Sequence, residues 1–182
     1  MEQAFMIGER LYLRPLELEH NDLVRGWLND PRVRRTVDRN APLTHLEEEG
    51  FLKGGVHPGE RRLLMVTREA DRPIGVIGLH QPDRVHRRVM LGLLIGEVEE
   101  WGKGYAGEAI GLMLDHAFDE LGLHRVLLHA YAFNARGLRV YEKLGFVREG
   151  VLREDHFAEG RFHDTIVMGL LAREWWARRK TS

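Results

Sequence analysis

Residues 89–109 read Val89-Met90-Leu91-Gly92-Leu93-Leu94-Ile95-Gly96-Glu97-Val98-Glu99-Glu100-Trp101-Gly102-Lys103-Gly104-Tyr105-Ala106-Gly107-Glu108-Ala109. An apolar, strand-like run, Val89 to Ile95, feeds a glycine-dense turn, and an amphipathic helix leaves that turn. Ala106, Ile110, Met113, Leu114, Ala117, Phe118 and Leu121 recur at helical spacing, with Glu108, Asp115 and Asp119 among the polar positions. A helix that starts behind glycines presents unpaired amides and the positive end of its dipole. Gly102 and Gly104 let a ligand come close to that backbone, so the turn suits a phosphate or pyrophosphate.

Spacing limits the choice of phosphorylated ligand. Gly102-Lys103-Gly104-Tyr105-Ala106-Gly107 matches the letters of the dinucleotide fingerprint GxGxxG. That fingerprint follows directly on a strand and needs an acidic residue about 20 positions later, at the end of the next strand. Here six residues separate Ile95 from Gly102, and the next strand-like run ends in His129-Ala130-Tyr131 with no carboxylate. A P-loop fails as well: Gly96 to Gly102-Lys103 has one residue too many, and Gly104 stands where a Ser or Thr should bind magnesium. A turn that merely reverses the chain stays open on this segment alone.

Working outward, a first strand is expected at Arg10 to Leu16 and a helix at Glu19 to Asn29, stopped by Pro31. Thr44 to Lys53 reads as a second helix behind a Thr44-x-x-Glu47 capping box. Strands Arg61 to Glu69 and Ile74 to Gln81 flank a turn at Ala70-Asp71-Arg72-Pro73. The fourth strand is Arg88 to Ile95 and the fifth is His124 to Ala130. A helix from Asn134 to Leu144 is closed by Gly145. Phe146 to Asp155 and His163 to Leu171 form a hairpin around Glu159-Gly160, and an amphipathic tail runs from Ala172 to Arg179. Antiparallel strands come first and a β-α-β crossover sits in the middle, which predicts mixed α/β (α+β) architecture with a mostly antiparallel central sheet of about seven strands flanked by helices.

Composition narrows the function classes. The 182 residues suit one domain, 1–182, able to bury roughly 70% of its unfolded surface. A formal charge of −1 gives no basic field for general nucleic-acid binding, despite Arg32-Arg34-Arg35 and Arg178-Arg179-Lys180. The absence of cysteine excludes a disulfide scaffold, a thiolate zinc site and a Cys nucleophile, and fits a cytoplasmic protein. No apolar run approaches the roughly 18 residues of a membrane helix, and the histidines form no metal constellation. All but four of the 27 basic residues are arginine, a bias that says nothing about chemistry.

Trp101-Gly102-Lys103-Gly104-Tyr105-Ala106 resembles the pyrophosphate motif of the GNAT superfamily of N-acetyltransferases, Gln/Arg-x-x-Gly-x-Gly/Ala, with Trp101 at its first position. Asn134-Ala135-Arg136-Gly137-Leu138-Arg139-Val140-Tyr141-Glu142-Lys143-Leu144-Gly145-Phe146 is similar to the family's Asn…Tyr-x-Lys-x-Gly-Phe helix. Leu13-Arg14-Pro15-Leu16 and Trp27-Leu28-Asn29-Asp30-Pro31 resemble its first strand and helix. The Trp101 variant points to the branch that acetylates ribosomal-protein N-termini, and Val85-His86-Arg87-Arg88 resembles the spermidine acetyltransferase branch. The resemblance spans about Arg10 to Leu171. It implies the acyl-CoA N-acyltransferase fold, in which strands four and five splay apart to admit a pantetheine arm.

The resemblance also implies roles. Acetyl-CoA (coenzyme A) would be the donor, with no metal. Trp101, Gly102, Lys103, Gly104, Tyr105 and Ala106 would hold its pyrophosphate. Leu93, Leu94 and Ile95 would pair with the pantetheine amides, and Asn134 would contact the same arm, although its position equally suits an N-cap. Tyr141 would be the general acid, its phenol protonating the departing thiolate; by periodicity alone it is a core aromatic in a stripe with Leu138 and Leu144. The base that deprotonates the amine is not identifiable; Glu97, just after the fourth strand, is the best single choice, with His80 and His129 behind it. Glu99 and Glu100 read as solvated turn carboxylates. The acceptor would enter between 31–42 and 155–163. Arg32, Arg34 and Arg35 make that rim basic, which favours a peptide N-terminus over a polyamine or other small amine. A catalytically silent acyl-CoA-binding module is the alternative from another class. A homodimer or larger homo-oligomer is compatible with the resemblance.

Overall fold

The computed structural model describes residues 3–37, 41–44 and 60–180. Its frame is one sheet built from β1 (Met6–Ile7), β2 (Leu11–Pro15), β3 (Arg61–Thr67), β4 (Pro73–Asp83), β5 (Arg88–Ile95), β6 (Arg125–Tyr131), β7 (Val147–Ala158) and β8 (Arg161–Leu171). The spatial order is β1-β2-β3-β4-β5-β6-β8-β7. Every neighbouring pair is antiparallel except β5 and β6. The mixed, mostly antiparallel architecture expected from the element pattern is therefore present. The strand not anticipated is β1, two residues long, too short to show any alternation.

The helices are α1 (Asn21–Asn29), α2 (Pro31–Arg34), α3 (Tyr105–Asp115, followed by a π turn at His116–Glu120), α4 (Ala135–Leu144) and α5 (Ala172–Arg179). Pro31 does not simply stop α1. It opens α2, where its missing N–H costs nothing, and Asp30 caps that helix by accepting from the Arg32 amide at 2.8 Å. The expected second helix at Thr44 to Lys53 lies outside the described residues, apart from Thr44 itself. Gly145 closes α4 in the left-handed conformation at φ 98°. Glu159 and Gly160, at φ 51° and 77°, make the two-residue β7–β8 turn, in which both central residues need positive φ.

Strand alternation divides the apolar side chains between two faces. Leu11 and Leu13 of β2, Leu63 and Met65 of β3, and Ile77 and Leu79 of β4 face α3, packing with Ile110, Met113 and Leu114 and with Trp175 of α5. Tyr12, Leu64 and Val66 take the opposite face with Val24 and Trp27 of α1. Of the stripe expected on α3, Ile110, Met113, Leu114, Ala117 and Phe118 are buried, Ala106 is half-buried beside the turn, and Leu121 lies beyond the π turn and is exposed.

Trp27 fixes how α1 sits. Its ring lies against Gly96, immediately after β5, so closely that a Cβ there would overlap Cδ2 and Cγ of the indole. Gly96→Ala is therefore expected to destabilise the protein by about 1–3 kcal/mol, the usual penalty for overpacking. Thermal denaturation checks this; an unchanged melting temperature would show that the α1–β5 contact is slack.

Candidate functional site

The site begins where one strand pairing ends. β5 and β6 share only the rungs Arg88 to Arg125, Val89 to Val126 and Met90 to Leu127. Beyond them β5 stays paired to β4 as far as Ile95, and β6 stays paired to β8 as far as Tyr131. The two strands diverge, and the splay expected between the fourth and fifth predicted strands is this gap. It forms a cleft of about 1110 Å³.

At the open end, the turn after β5 is organised by its own side chains. The Trp101 indole N–H donates to the Ile95 carbonyl at 2.9 Å. Gly102 and Gly104 adopt φ of 82° and 90°, and Gly104 caps α3 without supplying a side-chain partner for the first turn. The turn is braced from behind by Arg10, whose guanidinium donates to the Lys103 carbonyl at 2.8 Å and lies 5.1 Å over the Tyr105 ring. Glu108 accepts from the backbone amides of Arg10 and Leu11 at 2.8 and 3.2 Å, so β2 is tied to the first turn of α3.

The opposite wall is α4. Asn134 caps this helix, its Oδ1 accepting from the Gly137 amide at 3.0 Å, while the residue also borders the cleft. Tyr141 is partly buried, makes an edge contact with Phe146 at 6.1 Å between centroids, and borders the same space. Burial raises its pKa above the ordinary phenol value, so it stays protonated. Arg136, Arg139 and Lys143 also line this wall, and the Arg136 guanidinium lies 4.6 Å over the Trp101 ring, joining α4 to the turn. Their spacing along one helix was the available signal, but charged helix positions are usually solvated.

Most residues expected at the site share one lining: Leu93, Leu94, Ile95, Trp101, Gly102, Gly104, Tyr105, Ala106, Asn134 and Tyr141. Lys103 and Glu97 are not among them. Lys103 pairs with Glu100 at 3.0 Å. Glu97 accepts from the Trp27 indole at 2.8 Å and forms an ion pair with Arg72. A carboxylate held by two donors away from the cleft is poorly placed to receive a proton from an amine, which argues against Glu97 as base. Glu100 departs from the solvated reading: its side chain is 13% exposed and borders the cleft.

The other half of the cleft opens beneath α1 and α2. Arg62, Gly78, His80 and Gly92 come from the sheet, Thr36 and Val37 from the segment after α2, and Asp155, His156 and Thr165 from the β7–β8 hairpin. Arg62 forms a nearly buried ion pair with Glu60 at 3.1 Å. His156 stacks on Tyr131 at 3.9 Å. The segments expected to flank the entrance do meet, through Arg35 and Glu159 at 3.9 Å. The rim is less basic than its sequence suggests, because Arg32 pairs with Asp30 at 2.7 Å and lies 3.9 Å from Glu99. No group of three or more metal-binding side chains occurs among the described residues. None of the described helices is long and apolar enough to cross a membrane.

Comparison with known proteins agrees with this geometry. The family profile for the acetyltransferase (GNAT) domain matches residues 10–147. Spermidine N(1)-acetyltransferase of Vibrio cholerae is 32% identical over 173 residues, covering 94% of this chain and 99% of that protein. YdaF of Bacillus subtilis, named as a ribosomal N-acetyltransferase, is 38% identical over 101 residues, covering 56% of this chain and 55% of that one. The crystal structure of the Vibrio cholerae spermidine N-acetyltransferase in complex with CoA and spermine superposes with a TM-score of 0.85 at 28% identity, over 92% of this chain and 98% of that one. An acetyltransferase from T. thermophilus gives 0.79 at 31% identity, over 97% and 93%. A splayed strand pair with a glycine turn at its mouth and a Tyr-bearing helix as its far wall thus coincides with a match over most of the chain, and the protein belongs to the GNAT family as an acetyl-CoA-dependent N-acetyltransferase.

Proposed function

We propose that the acceptor is a small flexible amine of the polyamine class, acetylated on a primary amino group. The observation that carries this is the end-to-end likeness to spermidine acetyltransferases in both sequence and structure. The likeness to the ribosomal enzyme covers little more than half of either chain. The site's charges support the same choice. Rim arginines that are already paired do not repel a polycation, and Asp155 offers it a carboxylate inside the cleft. A peptide N-terminus is the second reading, favoured by the 38% identity to YdaF.

For the donor, the backbone of residues 101–106 would bind the pyrophosphate of coenzyme A at the N-terminus of α3, with Arg136, Arg139 and Lys143 adding positive charge from α4. The pantetheine arm would lie along Leu93–Ile95, the edge of β5 that β6 has left. A backbone N–H on that edge would hydrogen-bond the thioester carbonyl as charge builds on it. Tyr141 would give its proton to the departing thiolate. Lys103 would contribute through its carbonyl, which anchors Arg10, rather than through its amine.

Free thiol should be released from acetyl-CoA fastest with spermidine or spermine in a panel that also holds peptides and aminoglycosides. Turnover with peptides alone would replace the first reading by the second, and coenzyme A binding without turnover on any amine would leave a silent acyl-CoA-binding module. Tyr141→Phe should lower kcat about a hundred-fold, the low end for loss of a general acid, with coenzyme A affinity unchanged. Because burial raises the Tyr141 pKa, wild-type turnover should persist past pH of about 10 before a basic limb appears, and the variant should lack that limb. An unaltered rate would remove Tyr141 from the chemistry. Arg10→Ala should weaken coenzyme A binding about three- to ten-fold by slackening the turn, measured by titration calorimetry; unchanged affinity would show that the glycine turn holds its shape without the brace.

A further inference from the structure

With Glu97 committed to Trp27 and Arg72, the reaction still lacks a group to receive the proton of the acceptor's ammonium. Among the described residues His80, Asp155 and His156 border the acceptor half of the cleft, and His80 is the one whose ring lies over β5 at Gly92. His80 lies on β4 and borders the cleft. Its neighbour Gly78 pairs across the sheet with Gly92 of β5, so the floor beside the imidazole is bare backbone. A Cβ at Gly92 would stand 3.1 Å from His80 Nε2 and 3.2 Å from Cδ2, so the ring reaches over the neighbouring strand into room that only a glycine leaves. Gly92 is two residues past Met90, the last rung that β5 shares with β6, and one residue before Leu93. A pantetheine arm that runs from the glycine turn back along β5 therefore brings its thioester toward the place where the imidazole lies.

We propose that His80 is the catalytic base, taking a proton from the acceptor's ammonium group. The inference rests on the acetyl-transfer reading above and adds the residue that reading lacks. The protons balance. The ammonium N–H bond breaks and its proton goes to the imidazole, and the freed nitrogen pair forms the C–N bond at the thioester carbon. The C–S bond breaks with its electron pair going to sulfur, which takes the Tyr141 proton. The second proton of the former amine restores the phenol, and the imidazolium returns its proton to solvent.

The surroundings keep the imidazole able to accept. Burial lowers its pKa below the ordinary histidine value; Glu60 opposes the shift and Arg62 adds to it. Those two, at the start of β3, are the charged groups acting on it. On β5 its neighbours Met90 and Gly92 carry no charge. Burial therefore favours the neutral imidazole, the form that can accept a proton.

The test is the pH dependence of kcat/KM for acetyl transfer to spermidine by wild type, His80→Gln, His80→Ala and His129→Gln, with coenzyme A affinity measured in parallel. In wild type the rate should fall as pH drops through the lowered His80 pKa. His80→Gln should lose that limb and about a hundred-fold in kcat while coenzyme A affinity is kept. Added imidazole should restore part of the rate of His80→Ala, which a structural defect would not allow. An unchanged limb in His80→Gln, or its loss in His129→Gln instead, overturns the assignment while leaving the acetyltransferase reading intact. A wild type that transfers acetyl to no amine overturns both.

Discussion

Three rungs of parallel pairing between β5 and β6 set the rest of this molecule in place. Beyond Met90 and Leu127 the strands separate, and backbone that would otherwise complete a ladder faces a cleft. A buried strand edge must find partners, because unpaired amides and carbonyls are costly away from water. An extended, amide-bearing ligand would provide them in the manner of an added strand. The crossover through α3 is what makes β6 parallel to β5, so the turn that starts the helix and the gap between the strands come from the same stretch of chain.

That stretch is held from outside. Glu108 and Arg10 clamp the first turn of α3 to β2, and Trp27 fills the space above Gly96 while its indole donates to Glu97. The exit of β5 is thereby fastened on one face by the donor-side brace and on the other by the helix that roofs the acceptor side. The two halves of the cleft share β5 as a common element.

Much of this is legible in the residues. The glycine turn, the Asn134 cap, the Gly145 stop and the apolar stripe of α3 depend on local dihedral and periodicity rules, and each appears where those rules place it except at Leu121, which the π turn carries out to solvent. Charged side chains are harder to read. Sequence position alone suggests Glu97 as a base, Glu100 as a solvated carboxylate and Arg32 and Arg35 as a basic rim. All four have partners, and only the Lys103 that Glu100 pairs with and the Asp30 that Arg32 pairs with lie within three positions in sequence. Trp27, Arg72 and Glu159 come from other elements, and no periodicity announces such pairings. The brief strand β1 escapes notice because two residues carry no pattern.

The order of elements, the turn suited to phosphate and the family follow from the amino-acid chain alone, because glycine conformation, helix capping and apolar period are local properties. Tertiary packing settles which charges are neutralised, which carboxylates are held by partners and where His80 lies. Those outcomes depend on distances between strands far apart in the chain, and Coulomb and hydrogen-bond energies follow such distances rather than sequence separation.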